Sequence, residues 1–174
     1  MTNNQEQTLR IAGVVKESIV DGPGIRFVVF SQGCPHHCPG CHNAVTHDFE
    51  GGYDYSIERI LAEIDANPLL DGVTFSGGEP ACQPGGFLAL AREIKKRGLS
   101  VIMYSGYTFE DLFSMAKMQQ ALAELLPLVD ILIDGKYEEN LRDLTLPFRG
   151  SKNQRVIDLA ASLSKGSAVV LENF

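Results

Sequence analysis

The sequence has no tryptophan, only four cysteines, and fewer basic than acidic residues, 15 against 22, for a formal charge of −7. That balance leaves no basic face for a nucleic-acid backbone. Long apolar runs are missing too: the richest, LLPLVDILI at 125–133, holds Pro127 and Asp130 and falls short of a membrane span. The opening MTNNQEQTLR lacks the apolar core of a secretory signal. No Ser–His–Asp order, carboxylate pair or phosphate loop stands out, and Gly85-Gly86 match no nucleotide fingerprint. These absences point to a cytoplasmic chain that works away from membranes and nucleic acid. In that compartment four cysteines are reduced thiols or metal ligands rather than disulfides.

At 174 residues, 44 % of them hydrophobic and 21 % charged, the chain suits one domain, 1–174, behind a polar lead at 1–8. Apolar runs at 9–15, 26–31, 72–76, 100–105, 129–134 and 168–171 read as strands. Most are continuous rather than alternating, as in strands buried on both faces of a parallel sheet. Helical patterns lie between them. Ile57, Ile60, Leu61 and Ile64 share one face behind Ser56 as N-cap, and Phe87, Leu90, Ala91 and Ile94 share another, closed by Gly98. A third helix is expected between Phe109 and Leu126 and a fourth through NQRVIDLAASL at 153–163. Strand alternating with helix argues for an α/β domain, in which ligands gather at the carboxyl ends of strands. The four segments with chemical character obey that rule. The cysteine loop follows RFVVFS, SGGEP follows GVTF, SGYT follows VIMY, and DGKYEEN follows DILI.

The densest feature is GCPHHCPGCHN at 33–43. Cys34, Cys38, Cys41, His36, His37, His42 and His47 are seven of the eight Cys and His residues in the chain; the eighth is Cys82. Thiolates suit zinc, copper(I) or iron–sulfur clusters. A structural zinc site would need a fourth ligand, which a nearby histidine could supply, and would make the chain a non-catalytic interaction domain. A 4Fe–4S cluster held by three cysteines would keep one iron open to an outside ligand.

The spacing Cys34-x3-Cys38-x2-Cys41 after a core strand resembles the signature of radical S-adenosylmethionine enzymes. VDGPGIRFVVFSQGC (20–34), CHN (41–43) and SGGEP (76–80) resemble the activating enzymes of glycyl-radical proteins. With YSGYTFEDL (104–112), VDILIDGKYEENLRDLTLPFRGSKNQRVID (129–158) and the short length, the likeness is greatest to the activators of anaerobic ribonucleoside-triphosphate reductase. It covers roughly residues 11 to 158, and pyruvate formate-lyase activators, with the same chemistry, share the first two motifs. Gly40 stands where many radical S-adenosylmethionine enzymes carry an aromatic, a departure that the reductase activators share.

The resemblance implies an incomplete (β/α) barrel of about six mostly parallel strands. It implies that Cys34, Cys38 and Cys41 bind three irons of a 4Fe–4S cluster and that the open iron takes S-adenosylmethionine. Gly77 and Gly78 would meet the methionine end, with Glu79 near its ammonium, and Gly40, Cys41 and His42 would border the adenosine. Reductive cleavage would yield methionine and a 5′-deoxyadenosyl radical, which removes hydrogen from a glycine Cα of the reductase catalytic subunit. That subunit would be the protein substrate in a hetero-oligomer, and a low-potential protein such as flavodoxin the electron donor. Asp21, in DGPG, is a candidate substrate contact. Ser105, Gly106, Asp134 and Lys136 are further candidates for cofactor or partner contact, Arg149 in FRGSKNQ is a distinctive mark of the likeness to the reductase activators, and His36, His37 and His47 read as loop or surface residues. For Arg149, a salt bridge at a helix entry is the plain alternative.

Overall fold

The computed structural model describes residues 7–174; residues 1–6, most of the expected polar lead, lie outside the described residues. The chain forms one seven-stranded sheet in the order β3-β1-β2-β4-β5-β6-β7. Its centre is β2 (Arg26–Ser31), β4 (Gly72–Gly77), β5 (Ser100–Ser105) and β6 (Ile131–Asp134), all parallel. The flanks run the other way. β1 (Thr8–Ser18) pairs antiparallel with both β2 and β3 (Tyr53–Ser56), and β7 (Arg155–Asp158) pairs antiparallel with β6.

The sheet therefore has seven strands rather than about six, and three of its six pairings are antiparallel, so "mostly parallel" describes only its middle. Two expectations change identity. The helix expected through 153–163 is strand β7 followed by helix α5 (Leu159–Lys165), because Asp158 ends the β-branched run and caps the helix by accepting from Ala161 N at 2.9 Å. The strand expected at 168–171 is only a single bridge, Ile157 to Val170. The third helix is two, α3 (Phe109–Ala116) and α4 (Gln120–Leu125). Strand β3, mostly polar and exposed, carries no apolar run to betray it.

The other two helices form as their patterns require. In α1 (Ile57–Asp65) the Ser56 hydroxyl caps Arg59 N and Ile57, Ile60 and Ile64 are buried, while Leu61 stays half-buried. In α2 (Pro84–Lys96) Phe87, Leu90, Ala91 and Ile94 are buried, with left-handed Gly98 just beyond its end. All five helices contribute to one large core against Phe27, Val29, Val73, Phe75, Val101, Met103 and Leu132. Alternate residues of the same strands face away. There Ile102, Ile133 and Val156 make a small patch under Phe148, Leu171 and Phe174. No described helix is long and apolar enough to cross a membrane.

Buried Arg26 knits the DGPG turn to the sheet. Its Nε donates to Thr74 Oγ1 (2.7 Å), Nη1 to Pro23 O (3.3 Å) and Ser100 Oγ (3.0 Å), and Nη2 to Val73 O (2.9 Å) and Ser100 O (3.1 Å). All five of its N–H donors are satisfied, which is the condition for burying a guanidinium. Burial lowers its pKa to about 10, against the charges of Asp130 and Asp71.

Candidate active site

The loops after β2, β4, β5 and β6 meet at one end of the sheet, as the sequence leads one to expect. The cysteine loop is pinned by its own backbone, with Gly33 N donating to Thr46 O (2.8 Å) and Cys34 N to His47 O (3.1 Å). Gln32 adds side-chain donations to Val45 O (3.2 Å) and Asp48 O (2.7 Å). The loop is joined to SGGEP where Gly78 N donates to Ser31 O (2.7 Å) and Glu79 N to Gly33 O (2.8 Å). A Cβ at Gly78 would collide with the Gly33 carbonyl, so this approach of two backbones requires glycine.

Two neighbouring cavities of this rim carry the residues singled out above. A smaller one, about 140 Å³, is lined by Cys34, Cys38, Cys41, Gly77, Gly78 and Ser105, among others. A larger one, about 500 Å³, is lined by Asp21, His42, Tyr137, Phe148 and Arg149, among others. Cys41, Asn43, Ser76, Tyr104, Tyr137 and Gln154 border both, so the two are neighbours with a shared wall. All four cysteines are free. Burial pushes the Cys34 thiol up and the Glu79 charge adds to that, while the backbone N–H groups of His36 and His37 aim at its sulfur and pull the other way. Cys82 borders neither cavity, and desolvation followed by the charges of Glu79 and Cys34 pushes it up to about 11, which keeps it a neutral thiol.

Of the sequence-predicted residues, the structure brings together Cys34, Cys38, Cys41, Gly77 and Gly78 on the smaller cavity and Asp21, Cys41 and His42 on the larger. Gly40 turns the loop beside Tyr137 and Glu139 but lines neither. The His42 ring lies 5.2 Å from that of Tyr137. Ser105, Gly106 and Lys136 line the smaller cavity and Arg149 the larger. Asp134 instead accepts from Phe109 N (2.7 Å), at the start of α3, and pairs with Arg155. Arg149 forms no ion pair among the described residues; its Nη1 donates to Gln154 O (3.2 Å) and its buried Nε has no partner.

Glu79 is fully buried and lines neither cavity. Its Oε1 accepts from Ala81 N (3.0 Å) and Ser105 Oγ (2.9 Å), and its Oε2 from Gly106 N (2.8 Å) and His36 Nε2 (2.8 Å). His36 is thus no surface residue; its side chain is 6 % exposed. His47 also lines the smaller cavity, with a buried Nε2 that has no partner among the described residues. Tyr104, Tyr137 and Gln154 are cavity residues that the sequence reading passed over. Strand alternation could have found Tyr104, since Val101 and Met103 face the helices and Ile102 and Tyr104 the other side.

Comparison with known proteins places the chain among relatives. The family described as "4Fe-4S single cluster domain" matches residues 20–157. The anaerobic ribonucleoside-triphosphate reductase-activating protein of Salmonella typhimurium is 35 % identical over 146 residues, covering 79 % of this chain and 91 % of that protein. The proteins of the same name from Vibrio cholerae (33 % over 144 residues, 78 % and 89 %) and Escherichia coli (33 % over 146 residues, 79 % and 91 %) are similar to nearly the same extent. Among solved structures, QueE from Escherichia coli aligns with a TM-score of 0.47 at 21 % identity, over 62 % of this chain and 57 % of that one, a likeness too loose to build on. The family model's match, which spans the cysteine loop and the other three rim segments, together with relatives 33–35 % identical over most of the chain, shows that the chain belongs to the family of anaerobic ribonucleoside-triphosphate reductase-activating proteins.

Proposed function

We propose that the chain activates anaerobic ribonucleoside-triphosphate reductase by generating a glycyl radical on its catalytic subunit, using S-adenosylmethionine and a 4Fe–4S cluster. The observation that carries this reading is the convergence of three free thiols, a glycine pair and two further strand-end loops on one small cavity. The residues fit such a cluster. Cys34, Cys38 and Cys41 line a common wall, and backbone N–H groups already point at one of the sulfurs. A closed zinc site would need a fourth protein ligand, whereas three thiolates can hold three irons of a cubane and leave the fourth open.

In this reading Cys34, Cys38 and Cys41 hold three irons, and the backbone at Gly77 and Gly78 receives the methionine end of S-adenosylmethionine. Gly40, Cys41 and His42 border the adenosine. The chemistry supplied when both groups are bound is one-electron reductive cleavage of S-adenosylmethionine, coupled to removal of hydrogen from a glycine Cα. Asp21 and Arg149, on the larger cavity next door, bind the backbone of the entering peptide. One accepts from peptide N–H and the other donates to C=O, an arrangement indifferent to side chains and so suited to glycine. The parallel run β2-β4-β5-β6, with helices on one face and the cavities at its carboxyl rim, serves as the wall of an incomplete (β/α) barrel, and residues 7–174 act as one domain. A low-potential cytoplasmic protein such as a flavodoxin delivers the electron.

The test is anaerobic reconstitution, with electron paramagnetic resonance of the reduced protein with and without S-adenosylmethionine, then incubation with the reductase catalytic subunit. Expected are about four irons and four sulfides per chain, a spectrum altered by S-adenosylmethionine, and a glycyl-radical signal on the reductase. One zinc per chain and no iron would refute the reading. A radical on pyruvate formate-lyase but not on the reductase would reassign the partner.

A further inference from the structure

The best-satisfied polar group at the rim is one that this reading leaves without a task. Glu79 is 0 % exposed, lines neither of the two cavities above, and has four donors around its two oxygens. No acceptor direction is left for a cofactor ammonium. One of those donors is His36, whose ring stands edge-on to Tyr107 at 4.5 Å between centroids. Space for that ring exists because residue 106 is glycine: a Cβ there would lie 2.6 Å from His36 Nε2. The contact bridges 43 residues of sequence and ties the cysteine loop to the loops after β4 and β5. Next to it His37 holds a left-handed backbone, φ 49°. Such a conformation costs a non-glycine residue about 1–2 kcal/mol and persists only where its surroundings over-determine it. In the same short turn the backbone N–H groups of His36 and His37 lie near enough to the Cys34 thiol to oppose the upward push of burial on its pKa.

We propose that Glu79 and His36 form a buried clasp that fixes the Cys34–Cys38 turn, holding two N–H groups on the Cys34 sulfur and thereby setting the reduction potential of the cluster. Both are positioning residues, and the proposal rests on the reading that Cys34 is a cluster ligand. Hydrogen bonds to ligand sulfur stabilise the more negative, reduced state and raise the potential. Releasing the clasp lets the turn relax, weakens those bonds and makes the cluster harder to reduce, with every ligand still in place.

The experiment compares wild type with His36→Leu, His36→Gln and Gly106→Ala, each full-length and anaerobically reconstituted. Iron and sulfide are counted, and the midpoint potential is measured by spin resonance at poised potentials. Gln can place an amide donor where the imidazole Nε2 stands; Leu cannot. Gly106→Ala displaces the ring without changing any charge. Expected are wild-type iron in all three, a wild-type potential in His36→Gln, and a negative shift in His36→Leu and Gly106→Ala. At a fixed poise the ratio of reduced to oxidised cluster should fall about tenfold, equivalent to 59 mV for one electron. An unchanged potential in both His36→Leu and Gly106→Ala overturns the proposal, and so does an equal shift in His36→Leu and His36→Gln. Should His36→Leu fail to fold, the other two variants decide. A wild-type protein that assembles no cluster would remove the underlying reading and this one with it.

Discussion

The two faces of the sheet are built from alternate residues of the same strands, yet they differ in kind. Toward the helices, β2, β4 and β5 present Phe27, Val29, Val73, Phe75, Val101 and Met103, all fully buried in one apolar core. Toward the other side the same strands present Arg26, Thr74, Ser76, Ile102 and Tyr104. There the apolar patch is small, a guanidinium is buried with five hydrogen bonds, and two cavities open at the rim. The first face holds the dense packing from which most folding stability comes. The second gives up packing for polar groups in fixed places, which is what a site needs. A strand period of two lets one sequence do both.

If the faces are separate in this way, the largest effect comes from the cavity side. Cys34→Ala, Cys38→Ala and Cys41→Ala should each abolish cluster assembly and cleavage of S-adenosylmethionine, while Cys82→Ala, away from both cavities, largely spares them. Iron content and cleavage assays check this; equal loss in all four would mean the ligand set is wrong. The reverse experiment is Phe87→Ala. Phe87 is 0 % exposed and its ring centroid lies 4.7 Å from that of Phe75. Truncating a buried phenylalanine costs about 3–5 kcal/mol, a large part of the usual 5–15. A urea midpoint should fall accordingly, with the spin-resonance spectrum of the reconstituted cluster unchanged. A spectrum altered along with the stability would show that the two faces are coupled.

How far each face could be read from sequence follows from the same difference. β2 and β5 were legible at 26–31 and 100–105 because continuous apolar runs are strong local signals. The meeting of four loops at one rim followed from parallel topology alone. What was not legible depends on distant contacts. Arg155–Asp158 pairs as an edge strand because Asp134 and its neighbours on β6 are there to receive it, while its local pattern is equally compatible with a helix. Glu79 reads as a glutamate beside a cofactor until His36, Ser105 and Gly106 are seen around it. The three cysteines needed no tertiary information, since their spacing is itself the signal, whereas their histidine neighbour differs from the other three only in what it meets across the fold.

The smallest effect expected lies where the two cavities share a wall. Tyr104 Oη donates to the Phe148 carbonyl at 2.8 Å. Burial raises the phenol pKa, reinforced by the Asp21 charge, so the group is a neutral donor across the working pH range. Phe148 is one of two non-glycine residues with positive φ among the described residues, at 59°, and it directly precedes Arg149. Tyr104→Phe keeps the ring and removes the bond from β5 to this strained turn. The stability cost should be about 1 kcal/mol, a modest change in urea midpoint. The more telling quantity is the number of glycyl radicals formed per S-adenosylmethionine cleaved. If the turn serves to aim Arg149 at the incoming peptide, about 1 kcal/mol of lost positioning lowers that ratio roughly fivefold. Were stability to drop with the ratio intact, the hydrogen bond would belong to the scaffold alone, and Arg149 would be aimed by its contact with Gln154 rather than by the sheet.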